Sequence, residues 1–237
     1  IAGIRMTIDF GRTADDYARH RAGFPPEFFA RLERLGLLRD GMTALDLGSG
    51  TGSIALGLAP RGATVTALDP AAPMLAQAAA RANESGLALA TIVAQAERTG
   101  LPDSAFDLVI AGQCWHWFDR PHAAAEARRV LKPGGALAIA HFDWLRVPGN
   151  VVEATETLIL KHSPAWAGAG KSAPYGPWYL DLRLAGFAGL ESFSFDLDVP
   201  YTHEAWRGRI RASAGIGALL APEMVAAFDA EHAVLLA

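Results

Sequence analysis

Ala44-Leu45-Asp46-Leu47-Gly48-Ser49-Gly50-Thr51-Gly52 decides how the rest of the chain is read. An apolar run ends in a carboxylate, three glycines alternate with small polar residues, and a helix-compatible stretch follows from Ser53. This is a buried strand, a tight turn and a helix start, the usual entrance to a nucleotide-type site. Glycine belongs in such a turn because a ligand lying on the backbone leaves no room for a Cβ. The spacing excludes a dinucleotide fingerprint, G-x-G-x-x-G/A, because the sixth position counted from Gly48 is Ser53 and the third glycine arrives one residue early. Asp46 argues the same way, since a carboxylate there repels a pyrophosphate and suits a ligand carrying ammonium and sulfonium charges.

Asp46, Gly48, Gly50 and Gly52 match, position by position, the D/E-x-G-x-G-x-G motif of the class I S-adenosylmethionine (SAM) dependent methyltransferases, and the chain resembles that family. The run R-V-L-K-P-G-G at 129–135 resembles it again. The resemblance is specific over 44–142. It implies an α/β, Rossmann-like doubly wound, mostly parallel sheet with flanking helices and an insertion after the fifth strand. It also implies SAM as cofactor, S-adenosylhomocysteine as product and a small-molecule acceptor.

Outward from the glycine turn, residues 54–59 read as a short helix stopped by Pro60, and 63–68 as the second strand. Asp69 closes that strand 17 residues after Gly52, where a doubly wound fold places the acid that meets ribose hydroxyls. Pro70 gives an extended exit, and a helix over 72–83 carries Met74 in its first turn. Residues 87–94 make the third strand, followed by Gln95-Ala96-Glu97. Related methyltransferases carry an acid where Gln95 stands, to accept from the adenine amino group, so Gln95 and Glu97 compete for that role. Residues 106–111 form the fourth strand, and 136–142 the fifth after a helix ending near Val130. The cofactor set is thus Tyr17, Asp46, Gly48, Ser49, Gly50, Gly52, Asp69, Pro70, Met74, Gln95, Ala96, Glu97 and Gln113. Tyr17 enters only by resemblance, as a tyrosine in a short helix that covers the cofactor.

Between the fourth strand and the next helix lies Gly112-Gln113-Cys114-Trp115-His116-Trp117-Phe118. Ligands sit beyond the carboxyl ends of the strands in an open α/β sheet, so this segment belongs at the reaction centre. His116 is the candidate base, because an imidazole can accept a proton near neutrality. His141 and Asp143 are its runners-up. Trp115, Trp117, His141 and Trp144 are expected to wall the acceptor pocket.

Residues 1–24 read as an N-terminal arm and 143–177 as a lid on a single domain spanning 1–237. Its helix at 151–162 is followed by a Pro/Gly/Ser-rich connector too long for an idle loop. Beyond it, 178–185 reads as a helix and 190–199 as a half-buried strand, alternating Phe193, Phe195 and Leu197 with Ser192, Ser194 and Asp196. Helices are expected over 201–211 and from Pro222. The family's seventh, antiparallel strand has no candidate after Glu231.

The chain has 237 residues, a net charge of -4 and 51% hydrophobic residues, enough for a sizeable core and without the basic footprint of a nucleic acid binder. The absence of N/D-P-P-Y after the fourth strand also argues against an amino-directed nucleic acid methyltransferase. One cysteine allows no internal disulfide, no C-x-x-C or H-E-x-x-H grouping suggests a metal, and no uncharged apolar run reaches the ~18 residues of a spanning helix. A cytoplasmic enzyme with neither nucleic acid nor membrane partner is the expectation. A SAM-binding protein without turnover and a nucleic acid methyltransferase are the alternatives.

Overall fold

The computed structural model describes residues 23–166, 175–213 and 215–237. The arm up to residue 22, with Tyr17, and much of the connector at 167–174 lie outside them. The chain divides into two compact units. One is Ala22–Phe142 with Pro174–Phe193; the other comprises the described parts of Asp143–Ala173 and Ser194–Ala237.

The first unit is a five-stranded sheet, every pair parallel, with β1 (Thr43–Leu47), β2 (Thr64–Asp69), β3 (Ala90–Val93), β4 (Phe106–Gly112) and β5 (Leu131–Ala140) in the order β3-β2-β1-β4-β5. The chain winds outward from β1 through β3 and then returns to place β4 on the other side of β1. That reversal opens a crevice at the carboxyl ends of β1 and β4. Strand alternation divides the core between the two sheet faces. Ala44, Leu108 and Ile110 pack with Phe28, Phe29 and Leu32 of α1 (Pro26–Arg34), whereas Leu45, Leu47 and Val109 pack with Ala123, Ala127 and Val130 of α4 (Arg120–Val130). Helix α2 (Ala55–Leu58) follows the glycine turn, and α3 (Ala72–Glu84) follows β2.

Several boundaries depart from the sequence reading. Helix α1 stops at Arg34 with Leu35 as its exposed C-terminal cap, and it buries Phe28, Phe29 and Leu32. Pro60 does not end the chain's turning, because it enters a 3-10 turn over Ala59–Arg61, where a missing N–H costs nothing, and Gly62 at φ 83° ends it. Leu131 pairs with Phe106 but Ala136 with Leu108, so Lys132-Pro133-Gly134-Gly135 forms an irregularity inside β5 and not a stop before it. The expected strand at 190–199 forms no ladder, and Phe193 and Phe195 remain exposed. Alternation specifies an apolar face but supplies no partner edge for hydrogen bonding.

The second unit packs α5 (Val151–His162), α7 (His203–Arg211) and α8 (Pro222–Leu235) around Ile159, Trp206, Ile210, Ile216 and Phe228. Asn150 and Thr202 cap the first two by accepting from Glu153 N and Ala205 N. Helix α6 (Gly176–Leu184) belongs to the sheet unit, where Trp178 is buried. No helix among the described residues is long and apolar enough to cross a membrane.

Candidate active site

At the carboxyl end of β1, Asp46 lies beneath the glycine turn and not on its surface. It is 1% exposed and accepts from Ser49 Oγ at 2.8 Å and Ala55 N at 3.1 Å, tying the start of the turn to the start of α2. Burial pushes its carboxyl up to about 7, against the opposing effect of those two hydrogen bonds. Asp69 ends the neighbouring strand and accepts from Gly50 N at 2.9 Å and Ala71 N at 2.8 Å. Two lone-pair directions of its carboxylate are thereby used, and the others remain for a ligand. Desolvation raises this carboxyl too, again opposed by the backbone bonds. Arg81 of α3 fixes the far side of the turn by donating to Thr51 O at 2.8 Å, a contact that no motif announces.

Gly48 and Gly50 both have positive φ, 64° and 55°, but for different reasons. A Cβ on Gly48 would meet Cys114 Sγ at 2.8 Å and the Phe118 ring at 3.1 Å, so this glycine lets β4's exit pack against the turn. A Cβ on Gly50 would meet only Met74 Cε, at 3.5 Å. Gly50 therefore presents bare backbone on an open side, with Asp69 below and Met74 beside it. Ser49 and Met74 are largely buried, Pro70 and Gln95 are exposed, and Ala96 is buried. Glu97 Oε1 is engaged, accepting from Asp119 N at the start of α4 at 2.8 Å.

At the ends of β4 and β5, the structure gathers rings. His116 stands 4.7 Å from Trp117 and 5.6 Å from His141, and His141 stands 5.4 Å from Tyr175 and 5.2 Å from Trp178, centroid to centroid. Tyr175 and Trp178 extend this cluster from α6, far along the sequence, and only their aromatic character hinted at it. Two residues expected at the acceptor wall have other partners within their own units. Trp115 is wholly buried, its ring 5.7 Å from Phe118, because the 3-10 turn Trp115–Trp117 sends successive side chains to different sides. Trp144 belongs to the helical unit, where its Nε1 donates to Glu156 at 2.9 Å and Arg209 covers its ring. No group of three or more His, Cys, Asp or Glu among the described residues is arranged to hold a metal.

Residues 45–139, from β1 to the end of β5, match the family model described as a methyltransferase domain. A solved structure from Anaeromyxobacter dehalogenans, provisionally described as a type II methyltransferase, superimposes with a TM-score of 0.62 and 28% identity over 91% of this chain and 88% of that one. The chain carries a methyltransferase domain over residues 45–139. Among curated relatives, this chain is 35% identical over 153 residues to an uncharacterized methyltransferase of Mycobacterium tuberculosis, covering 62% of this chain and 60% of the relative. The chain thus spans less than two thirds of that relative's length. It is 29% identical over 188 residues, 71% of this chain and 75% of the relative, to a ubiquinone/menaquinone biosynthesis C-methyltransferase of Paracoccus denitrificans.

Proposed function

We propose that this methyltransferase binds SAM on the glycine turn and methylates a small-molecule acceptor at the carboxyl ends of β4 and β5. The observation that carries the reading is the open backbone of Gly50 between Asp69 and Met74. Asp69 accepts from the ribose hydroxyls, Met74 rests against the adenine, and the backbone around Ser49 to Gly52 lies along the methionine part. Gln95 is favoured over Glu97 for the adenine amino group, because Glu97 already anchors the start of α4. Asp46 acts from underneath by holding the turn's shape, and a cationic ligand above it would favour its ionised form.

SAM, when bound, supplies a methyl group on a sulfonium that departs as a neutral thioether. The protein's share is therefore alignment and exclusion of water more than acid/base chemistry. His116 takes the proton of a hydroxyl or ammonium acceptor where there is one. His141, Tyr175 and Trp178 give the acceptor side an aromatic wall of tilted and edge-on rings. The net charge of -4 favours a small acceptor over a polyanion.

Calorimetry with SAM and NADH separates this reading from a dinucleotide site, and transfer from labelled SAM into a metabolite extract separates turnover from binding alone. Asp69→Ala should weaken SAM by roughly 1.5–3 kcal/mol, the scale of hydrogen bonds to a charged group. Binding of NADH without SAM would end the proposal.

A further inference from the structure

Gln113 carries two unfavourable features at once. Its φ of 64° is the left-handed conformation that side chains with a Cβ rarely adopt, shared by only one other non-glycine residue, Ser104, among those described. Its side-chain Nε2 is buried without a hydrogen-bond partner. Strain and an unsatisfied donor at one residue, at the end of the strand bordering the crevice, mark a position shaped for a ligand and not for the fold.

The surroundings indicate which ligand. Gln113 N donates to Ala140 O at 2.9 Å, extending the β4–β5 ladder by one bond and setting Gln113 opposite the residue before His141. Its chain neighbour Cys114 packs against Gly48. Gln113 thus belongs to the short segment that joins the glycine turn, through Cys114, to the ring cluster of His116, Trp117, His141, Tyr175 and Trp178. Trp117 and Tyr175 keep 50% and 40% of their surface exposed. Flat rings favour a flat, conjugated partner, and an amide N–H needs a lone pair on that partner.

We propose that Gln113 is an acceptor-binding residue, and that the acceptor is a planar conjugated compound bearing an oxygen to which Gln113 Nε2 donates. This assigns Gln113 to the acceptor and not, as the sequence alone suggested, to the cofactor. It rests on the methyltransferase reading of the same site.

The test uses the full chain and three probes, 2-naphthol, naphthalene and decahydro-2-naphthol, titrated by quenching of tryptophan fluorescence, with SAM affinity measured separately by calorimetry. The wild type should bind 2-naphthol at least 10-fold more tightly than the ring without oxygen or the oxygen without a planar ring. Gln113→Leu should bring 2-naphthol to within about threefold of naphthalene while changing SAM affinity less than threefold. Gln113→Gly, which relieves the backbone conformation, should lose the same selectivity while raising the urea midpoint, and it gives the readout if the leucine variant folds poorly. Equal binding of the saturated alcohol, no binding of 2-naphthol, or a Gln113 variant that weakens SAM more than 2-naphthol would overturn the proposal. Failure of the wild type to bind SAM is a separate result and would remove the methyltransferase reading itself.

Discussion

The thiol of Cys114 stands 2.8 Å from the place a Cβ on Gly48 would occupy, so the end of β4 and the glycine turn fit each other only while residue 48 has no side chain. Cys114 Sγ also donates to Leu47 O at 3.0 Å. Burial, and then the nearby Asp46 and Asp69 carboxylates, push that thiol well above its ordinary range, which keeps its proton in place for the bond.

Gly48→Ala should therefore cost roughly 2–4 kcal/mol of stability, combining left-handed strain with overpacking. Adding Cys114→Ala should recover part of that loss, measured as a coupling in urea unfolding. Gly50→Ala should cost only about 1–2 kcal/mol, from conformation alone, because its Cβ has space. Its larger effect should be on SAM affinity. Equal stability losses at the two glycines would contradict the division of their roles.

Asp46 makes stability depend on pH. Its native pKa of about 7 lies above the ordinary 3.8, so between those values the folded chain binds more protons than the unfolded one. Stability should fall as pH rises through that window, by up to roughly 4 kcal/mol at 1.36 kcal/mol per unit, and level off above it. Asp46→Asn removes the ionisation but buries an extra amide donor, so its absolute stability is a poor readout. The slope is the measurement: unfolding free energies at pH 5 and pH 8 should differ less for the variant than for the native chain.

What the sequence exposed and what it hid divide along physical lines. The stretch from Ala44 to Gly52 was legible because buried strand, turn and helix start each impose their own residue types, and all three agree within nine positions. The parallel strands β1 to β5 were legible as apolar runs between turn residues. Residues 190–199 were misread because alternation is local while a sheet edge is not. Trp115 was misread because a 3-10 turn separates neighbours that a loop would expose together. Tyr175 and Trp178 join His141 through tertiary packing alone, which no spacing along the chain encodes.

In the helical unit, Thr155 of α5 links two other helices through one hydroxyl. Trp206 Nε1 of α7 donates to its Oγ1 at 3.0 Å, and His232 Nε2 of α8 lies 3.2 Å from the same atom. Thr155→Val should strand both partners and cost roughly 1–3 kcal/mol, seen as faster amide exchange in α5 and α8.

His232 itself is fully buried, and desolvation lowers its pKa to about 4, partly opposed by Asp229. Its folded value lies below the ordinary 6.5, so the unfolded chain binds the extra proton first. The contribution is complete above 6.5 and lost as pH falls toward 4. Protection factors in α8, corrected for the pH dependence of intrinsic amide exchange, should fall over that interval in the native chain. Protection factors unchanged from pH 7 to pH 4.5 would mean that the ring is not held neutral by burial.

His116 provides the last prediction, because position alone leaves two roles open. Its exposed ring lies between Trp117 and His141 at the exit of β4, where a bound acceptor and the methyl group would meet. A base there must be free to exchange its proton with solvent, and exposure permits that. His141 packs instead against Tyr175 and Trp178, which on the proposed reading makes it part of the acceptor wall. For an acceptor that enters protonated, His116→Gln should lower kcat by about 100-fold or more, the lower end of what base catalysis supplies, and erase the acidic limb of the pH profile. His141→Gln should instead raise KM, with kcat reduced less and the limb retained. If His116→Gln raises KM while kcat and the acidic limb survive, the imidazole binds the acceptor, and its proton leaves by another route.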